Sequence, residues 1–174
     1  MPEAAPLRSL FSAHDVRCKV TDLAARISRD YAGRQVLLVG VLKGAYVFLA
    51  DIAREITVPV ECDFVGVASY GDGACPTGEV RLVLDVSHPV KDRHVLLVED
   101  IVDTGATADF LLRLLAARGP ASLRLCALLD KPSRRRFAVR PDYVGFTVPN
   151  VFVVGYGLDL AQRYRALPYI GTVE

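Results

Sequence analysis

The residues best suited to chemistry in this 174-residue chain lie in one stretch, VLLVEDIVDTGAT, at positions 95–107. Four apolar residues lead directly into Glu99 and Asp100, and Asp103 follows after two more apolar residues. Carboxylates at the end of a buried strand are costly unless something pairs with them. Two adjacent carboxylates accept hydrogen bonds from neighbouring sugar hydroxyls, and they also suit Mg²⁺, which prefers oxygen ligands.

The second half of the stretch, from Asp103 to Thr107, predicts a turn that leads into a helix. Gly105 allows a close backbone approach, the first N–H groups of a helix form an anion site, and Thr104 adds a hydroxyl. Acceptors for sugar hydroxyls would then lie beside a phosphate site, so a ribose phosphate fits both. The alternative is a strand-end acid pair followed by a helix that Asp103 or Thr104 caps.

The apolar patterns around this stretch predict alternating strands and helices. Short runs such as VLLVGV are typical of strands buried on both faces of a parallel sheet. Phe48, Ile52 and Ile56 lie four residues apart, as on a helix that packs against a sheet, and a further helix is expected over residues 22–32 with Thr21 as its cap. This order predicts one α/β domain over residues 1–174, with ligands bound at the carboxyl ends of the strands.

Composition excludes several classes of protein. A formal net charge of +1 argues against broad nucleic-acid binding, which requires a basic excess. No segment reaches the roughly 20 apolar residues of a membrane span, and no signal peptide is recognisable at the N-terminus. The four cysteines, Cys18, Cys62, Cys75 and Cys126, lack zinc-ligand spacing and are interpreted as free thiols. We therefore expect a cytoplasmic protein with no nucleic-acid or membrane partner.

The tetrapeptide DTGA also occurs in aspartic proteases, which need two aspartates that share a proton within an all-β fold. Here it leads into a Leu-rich helical pattern, and the chain contains no second copy. A protease would need dimerisation to supply the second aspartate, and its strands would alternate with turns rather than with helices.

The whole stretch resembles the thirteen-residue phosphoribosyl-pyrophosphate motif of type I phosphoribosyltransferases. The segments LLVGVLKGAYVFLADI, VASYGDG, ALLDKPSRR and VFVVGYGLDLAQRYRALPYIG are similar, in the same order, to the hypoxanthine-guanine phosphoribosyltransferase family. The resemblance implies the type I phosphoribosyltransferase fold, in which helices flank a mostly parallel central sheet and the chain ends form a small hood.

The resemblance also implies an activity: transfer of a phosphoribosyl group from phosphoribosyl pyrophosphate to N9 of hypoxanthine or guanine, which gives IMP or GMP and pyrophosphate. The reacting carbon passes through an oxocarbenium-like state. Asp103 aligns with the general acid/base near purine N7. Glu99 and Asp100 align with the residues that hold the ribose hydroxyls and organise Mg²⁺, and the backbone of Asp103, Thr104, Gly105, Ala106 and Thr107 aligns with the site of the 5′-phosphate.

Four residues align with positions that contact pyrophosphate or its metal. Lys43 and Gly44 form the pyrophosphate loop, often with a cis non-proline bond, and Arg165 supplies a cation, although Arg163 lies on the same segment. Asp159 aligns with a ligand of a second Mg²⁺. From the residues alone, the loop could equally be an ordinary strand–helix connection with a solvated lysine.

Three residues align with the purine site. Lys131 aligns with the donor to the exocyclic O6, Phe152 with the ring that stacks on the base, and Val153 with a backbone contact. The alternatives are a solvated loop lysine in the basic cluster KPSRRRF and a core phenylalanine. The arginines at 134–136 are interpreted as surface charge, with a subunit contact as the alternative.

The loop that Ser69 and Tyr70 open aligns with a lid that excludes water at the transition state. Its sequence GDGACPTGE departs from the usual form, which leaves its dynamics open. The family forms dimers or tetramers, so a homodimer or homotetramer is expected. Two other functions stay open: an RNA-binding, nucleotide-sensing regulator of the same fold, which would have a basic face and lack Asp103 or the purine-reading residues, and a transferase that prefers xanthine.

Overall fold

The computed structural model describes residues 7–69 and 80–173. Tyr70 and the rest of the predicted lid lie outside the described residues, and Ser69 is the last residue of a strand. The helices in the described residues are α1 (Ala13–Asp30), α2 (Tyr46–Glu55) and α3 (Ala106–Ala116), with a short 3-10 turn at Pro132–Arg134. The strands are β1 (Leu7–Phe11), β2 (Val36–Leu42), β3 (Val60–Ser69), β4 (Val80–Leu84), β5 (His94–Val102), β6 (Ser122–Asp130), β7 (Tyr143–Thr147), β8 (Val153–Val154) and β9 (Ile170–Val173).

Six strands form the central sheet in the order β4-β3-β2-β5-β6-β7, and all neighbours are parallel except β3 and β4. The apolar runs of β2 and β5 are buried because helices cover both faces. Leu23 of α1 and Phe48 of α2 lie in the core on one face, and Leu111 and Leu115 of α3 lie in the core on the other. The prediction of a mostly parallel α/β sheet is confirmed.

Helix α1 begins nine residues earlier than predicted, and Thr21 is an exposed residue within it rather than its cap. The cap is Ser12, whose side chain accepts a hydrogen bond from the Asp15 N–H at 3.1 Å, while Asp15 accepts one from the Ser12 N–H at 2.9 Å. This reciprocal capping box satisfies two N–H groups that the first turn leaves free.

No helix of the described residues is long and apolar enough to cross a membrane.

The chain ends form a second sheet, as the resemblance implied. Strand β9 lies between β1 and β8 and pairs antiparallel with both, so that Leu7 lies opposite Val173. Phe11 of β1 stacks on Phe146 of β7, with ring centroids 4.0 Å apart, and Ile170 of β9 is fully buried. We call residues 153–173 together with β1 the hood. It is anchored on the core through these apolar contacts.

Candidate active site

The site lies where the strand order of the central sheet reverses. The chain leaves β2 towards β3 and leaves β5 towards β6, on opposite sides, so a crevice opens at the carboxyl ends of β2 and β5. Parallel sheets bind ligands at such points. The cavity there has a volume of about 570 Å³. From the core it is lined by Lys43, Gly44, Glu99, Asp100 and residues 103–107, and from the hood by Asp159, Gln162 and Arg165.

Glu99 and Asp100 form a buried acid pair within the end of β5, which continues for two residues beyond them. Burial raises the pKa of Glu99 well above its usual range, and the neighbouring charge of Asp100 raises it further. Burial also raises the pKa of Asp100 to about 6, although the Ile101 N–H and the charge of Arg165 oppose this. Neither carboxylate has an ion-pair partner among the described residues. The pair is therefore poised to accept hydroxyl donors or a cation from a ligand.

The pyrophosphate loop predicted at Lys43 and Gly44 lies directly against the acid pair. The peptide bond between Leu42 and Lys43 is cis. A Cβ atom at position 44 would lie 1.6 Å from the Asp100 Oδ2 atom, so only glycine fits there. The loop and the acid pair thus form one continuous wall of the cavity.

The turn at 103–107 brings backbone N–H groups to the opposite wall. Gly105 precedes α3 with a φ of +88°, and no side chain caps this helix. The N-cap residue is Gly105 rather than Asp103 or Thr104, although the Thr104 hydroxyl accepts a hydrogen bond from the Ala106 N–H at 3.3 Å. The Thr104 carbonyl accepts hydrogen bonds from the N–H groups of Arg136 and Phe137, at 2.9 and 3.1 Å. The first turn of α3 has no intrahelical acceptors for its N–H groups, which makes it an anion site.

Asp103 faces two cations. Arg134 Nε lies 3.0 Å from its Oδ1 atom, in an ion pair without hydrogen-bond geometry, and Lys131 Nζ lies 3.8 Å from its Oδ2 atom. Lys131 is buried and donates to the Val151 carbonyl at 2.9 Å, so it is not a solvated loop lysine.

The interpretation of residues 134–136 as surface charge holds for Arg134 and Arg136, which are exposed, and is wrong for Arg135. Arg134 contacts Asp103. Arg135 is half-buried, forms an ion pair with Asp130 and donates to the Val139 carbonyl at 3.1 Å. Their positions depend on the 3-10 turn after Lys131, which composition does not reveal.

The predicted purine residues Lys131, Phe152 and Val153 do not line this cavity. Phe152 is 52% exposed, so the alternative of a core phenylalanine is wrong, whereas Val153 is buried in β8. Lys131 connects the two regions because its Nζ atom reaches both Val151, the residue before Phe152, and Asp103. A buried amine therefore lies near the Asp103 carboxylate and bonds to the residue before the exposed aromatic ring.

The hood places a cation opposite the acid pair. Arg165 Nη1 donates to the Gly157 carbonyl at 2.7 Å, and Nη2 lies 2.7 Å from the Asp159 Oδ1 atom. The Gln162 N–H donates to the other oxygen of Asp159 at 2.7 Å. Sequence analysis missed Gln162, whose only signal was its place three residues after Asp159. Arg163 is exposed and does not line the cavity.

The acidic residues predicted to bind metal line the same cavity but do not converge. Among the described residues, no group of three or more His, Cys, Asp or Glu side chains could hold an ion, and Asp159 is engaged by Arg165 and Gln162. Mg²⁺ usually takes only one or two carboxylates and completes its shell with water and substrate phosphates. Glu99 and Asp100, buried without a cation, fit that requirement, so the metal site stays a prediction.

Replacing Glu99 by glutamine should stabilise the ligand-free protein. A raised carboxyl pKa means that the folded state holds its proton more tightly than the unfolded chain, so stability falls as the pH rises above the unfolded value. We expect E99Q to increase the free energy of unfolding by about 1–2 kcal/mol at pH 8, with a smaller gain near pH 4. Urea unfolding at both pH values measures this. The exposed Glu55→Gln is the control, and equal or lower stability of E99Q at pH 8 would contradict the expectation.

Known proteins with similar sequences identify the family. A family model described as "Phosphoribosyl transferase domain" matches residues 8–161. The chain is 47% identical over 165 residues to a "Bifunctional protein TilS/HprT" of Listeria innocua, and the match covers 95% of this chain but only 26% of that protein. It is 47% identical over 167 residues to a hypoxanthine phosphoribosyltransferase of Haemophilus influenzae, over 94% of this chain and 93% of that one.

A solved structure shows the same fold. It is a hypoxanthine-guanine phosphoribosyltransferase from Bacillus anthracis, 41% identical in sequence, which matches with a TM-score of 0.92 over 96% of this chain and 98% of that chain. The chain belongs to the phosphoribosyltransferase family.

Proposed function

We propose that the protein is a purine-salvage enzyme that transfers a phosphoribosyl group from phosphoribosyl pyrophosphate to N9 of hypoxanthine, guanine or both. The products are IMP or GMP and pyrophosphate. One observation carries this proposal: a buried acid pair, a helix N-terminal turn and a cationic hood segment line the same cavity of about 570 Å³. These three features complement the hydroxyls, the 5′-phosphate and the pyrophosphate of one donor molecule.

The acid pair and the turn would fix the donor's ribose. The carboxylates of Glu99 and Asp100 would accept hydrogen bonds from the two ring hydroxyls, in addition to the bond that Asp100 already accepts from the Ile101 N–H. The N–H groups at the start of α3, with the hydroxyls of Thr104 and Thr107, hold the 5′-phosphate. Held at both ends, the sugar presents its C1 atom to the purine, which lowers the entropic part of the barrier.

The leaving pyrophosphate would lie between the loop at Lys43 and Gly44 and the guanidinium of Arg165. Both line the cavity on the side of the acid pair. Glu99 and Asp100 are the residues that would hold Mg²⁺ together with substrate phosphates, and Asp159 is the candidate on the hood. When bound, Mg²⁺ supplies further neutralisation of the pyrophosphate charge.

Asp103 is the proposed acid/base for the purine. Its carboxylate is not used for helix capping, and it lies 3.0 Å from Arg134 Nε and 3.8 Å from Lys131 Nζ. Lys131, buried at the edge of the site, donates to a 6-oxo group and would pair badly with the amino group of adenine. The exposed ring of Phe152 is available to stack on the base.

Neither alternative function gains support from the site. A regulator that had lost catalysis would lack Asp103 or the purine-reading residues, whereas Asp103 lines the cavity here and Lys131 lies within 3.8 Å of it. A xanthine-preferring enzyme would share the donor site and differ between Lys131 and Phe152. We also expect a homodimer or homotetramer, which analytical ultracentrifugation would measure.

A spectrophotometric assay with phosphoribosyl pyrophosphate, Mg²⁺ and each purine in turn tests the proposal. Turnover with hypoxanthine or guanine, but not with adenine, is expected. Preferred turnover of xanthine would support the third function, and no consumption of the donor with any 6-oxopurine would overturn the proposal. Omission of Mg²⁺ should abolish turnover, since the acid pair has no other cation among the described residues.

Asp103→Asn should lower kcat by about 10²–10⁴, the usual contribution of a positioned general acid or base. The donor KM should change little because the amide keeps the shape of the side chain and the turn's N–H groups are unaffected. Steady-state kinetics with hypoxanthine measure both constants. Asp85→Asn, at an aspartate that pairs with Arg118 away from the cavity, is the control. Unchanged turnover of D103N would remove Asp103 from the chemistry.

Lys131→Ala should reduce discrimination between 6-oxo and 6-amino purines. The buried amine is the only donor that we assign to O6, so its loss should lower the ratio of kcat/KM for hypoxanthine over adenine by about tenfold or more. The measurement compares that ratio in both proteins, with the exposed Lys91→Ala as the control. A ratio equal to that of the unmodified protein would show that another group reads the 6-position.

A further inference from the structure

A buried tyrosine joins the hood to the core next to the pyrophosphate loop. Tyr156 lies in the hood, is 6% exposed, and its hydroxyl donates to the Asp51 Oδ2 atom at 2.6 Å. Asp51 is on α2, the helix that follows Lys43 and Gly44, and it also pairs with Arg54. We call the hydrogen bond between Tyr156 and Asp51 the hood latch.

The backbone beside the hood latch lies directly on the pyrophosphate loop. A Cβ atom at Gly157 would lie 2.1 Å from the Gly44 carbonyl oxygen, so the two backbones are in close contact. The Gly157 N–H donates to the Arg165 carbonyl at 2.9 Å, and the Gly157 carbonyl accepts from Arg165 Nη1 at 2.7 Å. The orientation of the Arg165 guanidinium thus depends on the position of Gly157, which is the residue directly after Tyr156.

The conformation of Tyr156 shows that this segment is held in place rather than relaxed. Its φ is +50°, a left-handed value that is unfavourable for a non-glycine residue and persists only where the surroundings impose it. Burial of the ring and the bond to Asp51 are the contacts that impose it here. Tyr156 therefore fixes the backbone conformation of this segment in addition to packing in the core.

We propose that the hood latch positions Arg165 for the donor's pyrophosphate, so that Tyr156 and Asp51 are positioning residues of the reaction although neither lines the cavity. The inference rests on the proposed function for the identity of the anion. Without the Tyr156 hydroxyl, residues 155–165 can shift away from Gly44, and the guanidinium loses its fixed direction towards the cavity. Binding of the pyrophosphate end should weaken, while the purine site beyond Asp103 should not.

The fold contains a matched control. Tyr143 of β7 is also buried, and its hydroxyl donates to the Asp30 Oδ2 atom at 2.7 Å. This second pair lies at the first residue of β7, at the edge of the sheet opposite the crevice. Tyr156→Phe and Tyr143→Phe each remove one hydroxyl from a tyrosine–aspartate pair, and Y143F also removes the bond that the Tyr143 hydroxyl accepts from Arg124 Nη1 at 2.7 Å, so Y143F should lose at least as much stability. Only the first should change donor binding.

The experiment compares these two variants with the unmodified protein by kinetics and by hydrogen exchange. Y156F should raise the donor KM about tenfold, the effect expected for loss of a hydrogen bond to a charged group, and leave the hypoxanthine KM within about twofold. Exchange of the Gly157 amide should accelerate in Y156F and not in Y143F. The double variant with Asp51→Ala should show no further rise in the donor KM, because both changes remove the same interaction.

Different results would overturn the inference about the hood latch and the proposed function. A donor KM in Y156F equal to that in Y143F would reduce the hood latch to a stabilising contact and overturn the inference, and so would additive effects of the Tyr156 and Asp51 changes. If the unmodified protein consumes no donor, the proposed function fails. The exchange of the Gly157 amide then still decides whether Tyr156 holds this segment in place.

Discussion

The site depends on two carboxyl groups that the fold buries without giving them a cation. Glu99 and Asp100 lie at the centre of the sheet, where β2 and β5 end side by side, and water cannot solvate them fully. The pyrophosphate loop packs against this acid pair, and the hood faces it. Gly44 is a glycine because Asp100 leaves no room for a side chain. The hood brings Arg165 close enough for its charge to act on Asp100, but not to form an ion pair with it.

Burial of Glu99 and Asp100 makes their charged forms unfavourable in the folded protein. A bound ligand would reduce this electrostatic cost. Replacement of the pair by neutral side chains would improve the apo protein, as is common where function and stability conflict. The proposed donor, with its hydroxyls and a metal ion, would provide what the pair lacks. Binding energy is therefore available at the sugar, next to the bond that breaks, and it can be used to orient the reacting carbon.

Much of the fold could be predicted from the sequence because local patterns determine it. Continuous apolar runs identified β2 and β5, and one short stretch located the acid pair and the turn into α3. The predicted start of α1 is wrong because the prediction places the cap at Thr21, whereas Ser12 and Asp15 form the capping box. The terminal strands left little trace in the pattern, since β1 and β9 are short and acquire their partners only in the folded chain.

The parts of the site that sequence could not predict are contacts between distant segments. Nothing in KPSRRRF distinguishes the exposed Arg134, which pairs with Asp103, from the exposed Arg136, which has no ion pair among the described residues, until the 3-10 turn is known. The partner of Tyr156 is 105 residues away along the chain. Resemblance to a family supplied roles for the residues on the cavity wall, but it gave no information on the residues behind them.

The pairing of the two chain ends has a consequence for the order of assembly. Strand β1 meets β9 only when almost the whole described chain has been gathered, with Leu7 opposite Val173. Such non-local contacts form late, because loop-closure entropy must be overcome first. Glu99 and Asp100 belong to the central sheet and can be positioned before the terminal strands pair. Arg165 lies in the hood and is positioned only when those strands pair. Catalytic competence should be the last property a refolding molecule acquires, and proteolytic trimming of either terminal strand should remove it first.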